Sequence, residues 1–310
     1  VAYLSPTFQL LAEQTKTVNV DRWSRRVDPA NPFLVDLLLA GTSGADSYRV
    51  EQIPGINNPI IRIHVLQENG IVSSDVIDVT GVTSKIRVDL GSGSDRFDGS
   101  GLTYDTVIDG GEGNDIILTG SGNDQITADR DIAGNDFIDA GAGNDIIWAD
   151  TQTKNGLYPR SGNDTIFGGE GDDIIYADGP EGAGNDLIDG GADRDIIIAG
   201  GGSDTIRGGG GSDLILAGNT TLTHSQILLV QSEWTSPRTL AERVANISGT
   251  GSGPRNNGSA YLIPGTTALD DQAVDTIFGE GDGDWLLLDP LLDVASDFDP
   301  FLDVATDIKV

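Results

Sequence analysis

Single aliphatic residues recur at regular intervals from about residue 91, separated by short stretches rich in glycine, asparagine and aspartate. In register the unit has nine residues, Gly-Gly-x-Gly-x-Asp-x-aliphatic-x. Copies lie at 91–97, 110–118, 119–127, 140–148, 168–176, 190–198, 199–207 and 208–216, with partial copies at 161–167 and 182–189 and a late copy at 279–287. The first six positions favour a turn, because Gly and Asn adopt positive φ readily. The last three alternate around one aliphatic residue and predict a short strand.

One inward side chain per unit buries too little surface for a unit to be stable alone. Stacked units share a continuous aliphatic core, which is how a solenoid is stabilised. The pattern therefore predicts an all-β solenoid. Its expected inward side chains are Phe97, Ile117, Ile126, Ile138, Ile147, Ile166, Ile175, Ile188, Ile197, Ile206, Ile215 and Leu286.

The turn aspartates, counted from Asp95 through Asp105 to Asp213, are spaced unevenly, and the longer gaps follow a pattern. Large insertions fall on alternate turns, at 129–133, 150–160 and 178–182. If alternate turns lie on opposite edges of the solenoid, all three insertions leave from one edge and the other edge stays regular. The segment 150–160 carries Lys154, Tyr158 and Arg160, and we expect it to form a recognition surface.

The flanking sequences divide the chain into five parts. No shape is assigned to residues 1–40. Residues 41–90 predict a β-rich cap containing an eroded repeat at Asp46 and strands near 60–65, 72–79 and 85–90. Residues 91–218 form the repeat region, 219–262 a helical insertion, and 263–310 a resumed coil followed by an acidic tail.

The insertion at 219–262 predicts two short helices. HSQILLVQSEWTS has helical spacing, and Ser236-Pro237 before RTLAERVANI predicts an N-cap followed by proline at the first helical position. The apolar stripe of Leu228, Trp234, Leu240 and Val244 is expected to pack on the solenoid. The tail repeats itself, as DPLLDVASDF and DPFLDVATDI, and is expected to offer an apolar strip to a neighbouring copy.

Charge narrows the range of partners. Of the 310 residues 40 are Asp, only 9 are Glu, and the formal net charge is −31. Aspartate suits a carboxylate that reaches its own turn backbone or a hard cation held there. So negative a chain excludes nucleic acid and anionic membrane as electrostatic partners. No apolar run approaches the roughly 20 residues of a transmembrane segment. A start at Val-Ala-Tyr without methionine is expected of a processed chain or an excised piece.

The nonapeptide resembles the RTX, or hemolysin-type, calcium-binding repeat over about 91–216 and 275–287. The resemblance implies a parallel β-roll, in which two nonapeptides make one coil and Ca²⁺ lies between turns stacked on the same edge. It also implies aspartate side chains and turn carbonyls as ligands, an all-oxygen set suited to a hard cation. The implied aspartate ligands are Asp95, Asp115, Asp124, Asp136, Asp145, Asp164, Asp173, Asp186, Asp195, Asp204, Asp213 and Asp284. The implied turn glycines are Gly111, Gly113, Gly120, Gly122, Gly141, Gly143, Gly169, Gly171, Gly200, Gly202, Gly209 and Gly211.

One turn departs from the pattern. In GGADRD the fifth position is Arg194, next to Asp195. We expect the guanidinium to replace a calcium ion at that aspartate.

The sequence gives little support for catalysis. His64 and His224 are the two histidines, and neither an H-E-x-x-H motif nor a G-x-S-x-G elbow is present. Glycoside hydrolysis by a pair of carboxylates stays open as a function, although calcium binding would account for the many aspartates. We expect a secreted, extracellular or cell-surface bacterial protein with a structural or adhesive role, which self-assembles or binds another extracellular protein or a polysaccharide. The alternative is a calcium-binding targeting or secretion module of a secreted enzyme acting on polysaccharide or protein.

Overall fold

The computed structural model describes residues 23–27, 35–53, 60–67, 70–78, 85–129, 134–150, 161–179, 182–299 and 303–308. The strands are β1 (Trp23–Val27), β2 (Val35–Thr42), β3 (Ser47–Ile53), β4 (Ile60–Gln67), β5 (Gly70–Asp78), β6 (Ile86–Gly91), β7 (Arg96–Asp98), β8 (Thr106–Gly111), β9 (Ile116–Leu118), β10 (Gln125–Asp129), β11 (Phe137–Asp139), β12 (Ile146–Asp150), β13 (Thr165–Glu170), β14 (Ile174–Tyr176), β15 (Leu187–Ala192), β16 (Ile196–Ile198), β17 (Thr205–Gly210), β18 (Leu214–Leu216), β19 (Asn219–Thr220), β20 (Ala268–Leu269), β21 (Thr276–Glu280), β22 (Trp285–Leu288), β23 (Val294–Ala295) and β24 (Val304–Asp307). The helices are α1 (His224–Trp234) and α2 (Leu240–Ile247).

Two eleven-stranded sheets form the body of the fold. Sheet A has the order β1-β2-β6-β8-β10-β12-β14-β16-β18-β22-β24, and sheet B the order β23-β21-β17-β15-β13-β11-β9-β7-β3-β4-β5. Along the repeats the chain alternates between the sheets, and neighbouring strands are parallel. Two strands and two turns therefore make one coil of a parallel β-roll, as the sequence predicts.

The core lies between the sheets and is made by the repeating aliphatic position. In sheet A, Ile147 lies beside Ile126 and Ile175, and in sheet B, Ile166 lies beside Ile138 and Ile188. All twelve side chains expected to point inward are fully buried. Each strand adds one inward side chain to the stack. A single repeat could not bury that side chain by itself.

The two edges of the roll differ. We call the turns running from sheet A to sheet B the insertion edge, and those running from sheet B to sheet A the regular edge. The connections 129–136, 150–164 and 178–186 lie on the insertion edge, together with the longest connection, 217–275. The prediction that the large insertions share one edge is thus confirmed. Lys154, Tyr158 and Arg160 lie outside the described residues.

The roll begins earlier than the repeats indicate. Strands β2 and β3 flank the turn at Asp46 and make the first coil, because they pair in parallel with β6 and β7. Antiparallel strands then extend both sheets, β1 on β2 and β4 with β5 on β3. The strands expected near 60–65, 72–79 and 85–90 are present, and the last of them, β6, is part of the roll.

The two helices cover the part of the outer face of sheet A that β14, β16, β18 and β22 form. Ile227, Val230 and Trp234 are buried in a cluster with Leu214 and Leu216 of the sheet. Leu228 lies outside this cluster, 41% exposed, so the predicted stripe was wrong at that residue.

The predicted cap of α2 was also wrong. Thr239 is the N-cap, since its hydroxyl accepts a hydrogen bond from the Glu242 N–H and the Glu242 carboxylate accepts from Thr239. This reciprocal arrangement gives a partner to two backbone N–H groups at the start of the helix, those of Thr239 and Glu242. Ser236 and Pro237 precede the helix.

The C-terminal segment completes the roll. Strand β23 pairs in parallel with β21, and β24 pairs in parallel with β22, so the doubled ten-residue motif forms the last coil. The expectation that this tail offers its apolar strip to a neighbouring copy stays a prediction, since Leu291 and Val294 remain exposed. Its strands are used by the chain's own sheets.

Candidate calcium sites

A ladder of aspartates runs along each edge of the roll. On the regular edge, the Asp145 N–H donates to Asp173 Oδ1 at 2.7 Å, and the Asp173 N–H donates to Asp195 Oδ1 at 2.9 Å. On the insertion edge, the Asp164 N–H donates to Asp186 Oδ1 at 2.8 Å. The regular-edge ladder comprises Asp124, Asp145, Asp173, Asp195, Asp213, Asp284 and Asp303. The insertion-edge ladder comprises Asp95, Asp115, Asp136, Asp164, Asp186, Asp204, Asp275 and Asp293.

These bonds use only one oxygen of each carboxylate. The second oxygen, Oδ2, is buried without a hydrogen-bond partner in twelve ladder members. They are Asp95, Asp115, Asp124, Asp136, Asp145, Asp164, Asp173, Asp186, Asp195, Asp204, Asp213 and Asp275. A buried carboxylate oxygen that lacks a partner is strongly unfavourable unless a cation compensates it.

Glycine at the first repeat position makes room for this oxygen. A Cβ added to Gly190 would lie 2.5 Å from Asp195 Oδ2 and 2.7 Å from the carbonyl oxygen of Gly208 in the next coil. A carboxylate oxygen and a backbone carbonyl of successive coils thus face the same small space. Gly110, Gly168 and Gly208 each leave a similar gap beside the aspartate of their own turn.

A second, more exposed ladder runs beside the aspartates in the opposite direction. The Asn144 N–H donates to Asn123 Oδ1 in the preceding coil at 3.0 Å, and the Asn135 N–H donates to Asn114 Oδ1 at 3.0 Å. Because the two ladders run in opposite directions, stacked turns that have both bonds, such as those of Asp124 and Asp145, are joined both ways. The carboxylates are therefore held at fixed spacing.

The implied turn glycines lie in these same turns. Ten of them, Gly111, Gly113, Gly141, Gly143, Gly169, Gly171, Gly200, Gly202, Gly209 and Gly211, have positive φ. Gly120 and Gly122 lie in the regular-edge turn between β9 and β10 without positive φ, and there close approach to the Leu102 and Tyr104 carbonyls requires glycine. As metal ligands, all of these residues stay predictions.

Burial shifts the ladder carboxylates far from their ordinary acidity. It raises the pKa of Asp145 to about 8 and that of Asp173 to about 7. Burial, with the neighbouring Asp213 and Asp173 charges, raises the pKa of Asp195 to about 10. Each shift shows that the ionised form is disfavoured where no cation is bound.

Two sequence-based interpretations need correction. Arg194 Nη1 donates to the Ser236 carbonyl at 3.0 Å, and Asp195 Oδ2 has no partner. The expectation that Arg194 replaces calcium at Asp195 was therefore wrong, because the helical insertion supplies a better acceptor.

Asp105, counted among the turn aspartates, lies one position early in its turn. It accepts from the Asn123 N–H in the outer ladder, and Thr106 donates its N–H to Asp124.

Several acidic residues of these turns were missed. Asp275, Asp293 and Asp303 extend the ladders. The signal for Asp293 and Asp303 was the doubled motif of the C-terminal segment, and the signal for Asp275 was the DTIF sequence that it shares with the repeat at 164–167. Asp129, Asp150 and Asp178 are also buried on the insertion edge. Their signal was an Ala-Asp pair that begins each large insertion, at 128–129, 149–150 and 177–178.

The donor set fits calcium. Ca²⁺ takes six to eight oxygen ligands from carboxylates, carbonyls and water. Partnerless carboxylate oxygens face carbonyls of the next coil, as at Asp195 and Gly208. Within the described part of the chain, no three acidic or histidine side chains gather into a metal centre. Calcium would be held by the ladder aspartates together with the turn carbonyls.

Comparison with known families agrees with this geometry. The RTX calcium-binding nonapeptide repeat matches in four copies, at residues 100–132, 133–152, 160–179 and 182–218. These repeats bind calcium ions. No curated protein and no solved structure shows significant similarity to the chain. None of the helices in the described ranges is long and apolar enough to cross a membrane.

Proposed function

We propose that the chain is an extracellular bacterial protein with a structural or adhesive role, whose β-roll folds on calcium, because residues 100–218 carry four matches to the RTX calcium-binding nonapeptide repeat. The observation that carries the proposal is the pair of aspartate ladders with buried, partnerless Oδ2 atoms. Extracellular calcium modules bind the ion at about 10⁻⁴–10⁻³ M. Such sites fill outside the cell, and metal binding to a site absent from the unfolded chain stabilises the fold.

An exposed apolar row supports an adhesive role. Ile116, Phe137 and Leu187 project from the outer face of sheet B and are 37–39% exposed. They lie on one line across the strands, since Phe137 is opposite Ile116 and Thr165 is opposite both Phe137 and Leu187. In the equivalent row of sheet A, Ile196 and Leu214 are fully buried in a cluster that includes residues of both helices. Exposed apolar patches mark interaction surfaces.

The positions of the histidines support a non-enzymatic role. His64 lies on β4 of sheet B, close to Glu51. His224 begins α1 on sheet A, where its Nδ1 lies 3.1 Å from the Tyr176 hydroxyl. Each ring therefore has a structural neighbour, and the two lie on different sheets.

Assembly in calcium tests the proposal directly. We expect the whole chain in millimolar calcium to self-associate or to attach to a bacterial surface or matrix polysaccharide. A Phe137→Ser/Leu187→Ser variant should fold in calcium yet associate or attach less. The matched control is Thr205→Ser, in the same row. A chain that stays monomeric and unattached, and instead turns over a polysaccharide or protein, would support the enzyme-module alternative.

A further inference from the structure

A third line of carboxylates runs along the insertion edge. Asp129, Asp150 and Asp178 occupy the second position of their turns, where the regular repeat has glycine. Strand register places Asp129 between Gly111 and Asp150, and Asp178 lies against Gly200 of the next coil. The three aspartates are therefore additions to the nonapeptide pattern.

Each of these carboxylates is hydrogen-bonded to a glycine at the other end of its insertion. Oδ2 accepts a hydrogen bond from the fourth-position glycine of the same turn, in the pairs Gly134–Asp129, Gly162–Asp150 (2.9 Å) and Gly184–Asp178 (3.0 Å). The next turn has Gly200 at the second position. There the carboxylate comes instead from the connection 217–275. The Gly202 N–H donates to Asp271 Oδ2 at 2.9 Å. Four consecutive coils keep this carboxylate, although the fourth takes it from elsewhere in the chain.

The second oxygen of Asp150 is not used by this bond. Asp150 is 2% exposed, and its Oδ1 has no hydrogen-bond partner. Asp164, the sixth-position aspartate of the same turn, is 2% exposed, and its Oδ2 also lacks a partner. The two carboxylates meet at Gly162, whose N–H donates to Asp150 Oδ2 and whose added Cβ would lie 2.9 Å from Asp164 Oδ1.

The next insertion turn repeats this arrangement. Asp178 and the sixth-position Asp186 are both buried, and Asp186 Oδ2 has no partner. Ser161 Oγ and Asp178 Oδ1 both face the place that a Cβ of Gly182 would fill. Glycine there leaves a gap lined by oxygen atoms.

We propose that these insertion turns bind a divalent cation, calcium in an extracellular setting, between the second- and sixth-position aspartates, as an addition to the sites of the regular turns. The inference rests on the proposed calcium-dependent function. A regular turn contributes one buried carboxylate, whereas these turns contribute two. Because affinity for calcium rises with the charge of its ligands, the insertion sites fill at lower calcium than the regular sites.

Counting bound calcium tests the inference. Asp150→Asn and Asp178→Asn keep an oxygen to accept from the glycine N–H but remove the charge. Asp139→Asn, a half-buried position at the end of β11, is the matched control. In equilibrium dialysis with calcium, each of the first two variants should lose one of the tightest-bound ions, and the control should lose none. Unchanged number and affinity of bound ions in both variants would overturn the inference.

A measurement on the unaltered chain covers the case in which a variant fails to fold. Crystals of the whole chain grown with terbium in place of calcium should show an anomalous peak between Asp150 and Asp164. Peaks confined to the regular-edge turns would overturn the inference while leaving the proposed function intact. A chain that binds no calcium at all would instead overturn the proposed function.

Discussion

The N–H of Asp145 donates to Oδ1 of Asp173 across one coil, at 2.7 Å, and Oδ2 of both carboxylates is buried without a partner. The bond that fixes the spacing of the coils therefore also holds a negative charge in the protein interior. That charge disfavours folding until a cation neutralises it. The atoms that fix the stacking of the coils are therefore the same atoms on which the proposed calcium dependence rests.

The calcium-free chain should lose stability as pH rises. Burial raises the pKa of Asp145 and Asp164 to about 8 and that of Asp173 to about 7, from 3.8. Between pH 4 and 8 these carboxylates hold more protons in the folded chain than in the unfolded chain, so the free energy of unfolding falls across this window. Urea unfolding of dialysed, calcium-free protein at pH 5 and pH 8 measures the effect. Greater stability at pH 8 would contradict it.

Asp173→Asn should change stability in opposite directions with and without calcium. Asparagine still accepts from the Asp145 N–H, but it removes a buried charge. At pH 8 without calcium we expect a gain of about 1–3 kcal/mol, the usual scale for burying an uncompensated polar group. In saturating calcium the variant should be less stable than the parent.

Asp139→Asn is the control for this sign reversal. Asp139 lies at the end of β11 away from the ladders, and a change within about 0.5 kcal/mol is expected in both conditions. Denaturant titrations of both variants, with and without calcium, give the comparison. The same sign in both conditions for Asp173→Asn would refute the ladder's role in calcium binding.

Gly209→Ala should destabilise the roll in calcium. Gly209 has φ of 98°, and an added Cβ would overlap the carbonyl oxygen of Gly191 in the preceding coil. Strained backbone at such a position costs about 1–3 kcal/mol, before the clash is counted. Gly101→Ala is the control, because an added Cβ there meets nothing within 4 Å. Equal midpoints of thermal unfolding for the two variants would argue against tightly stacked turns.

Trp234→Ala should loosen the helical cover of sheet A. The Trp234 ring is fully buried, lies 6.2 Å from the Trp285 ring and donates its Nε1–H to the Ser212 carbonyl at 2.9 Å. Truncating a buried aromatic costs about 3–5 kcal/mol. Leu228→Ala, on the exposed side of α1, should change stability by less than about 1 kcal/mol. Hydrogen exchange of sheet A amides would show whether the loss is centred under the helices.

The roll itself was predictable because its signal is local and repeated. One aliphatic residue two positions after each turn aspartate is enough to place Ile147, Ile175 and Ile197 in one stack. The edge that carries the insertions followed from counting alternate turns. Neither inference needs knowledge of distant contacts.

The details that were wrong depend on distant or competing partners. Arg194 lies beside Asp195 in the sequence, yet its guanidinium binds the Ser236 carbonyl 42 residues away. Thr239 and Ser236 are both suitable caps, and the position of Glu242 decides between them. The tail motif has ten residues rather than nine, so the nonapeptide register does not place its aspartates in the ladders, although β24 pairs with β22.

Far-ultraviolet circular dichroism of the whole chain during a calcium titration shows whether the roll folds on calcium. Starting from calcium-free protein at pH 7.5, we expect a cooperative gain of β signal at about 10⁻⁴–10⁻³ M calcium and a matching rise in the thermal midpoint. Magnesium at the same concentration should give a much smaller gain, because it demands smaller, octahedral sites. A spectrum and thermal midpoint unchanged between calcium-free and millimolar-calcium conditions would show that the roll folds without calcium.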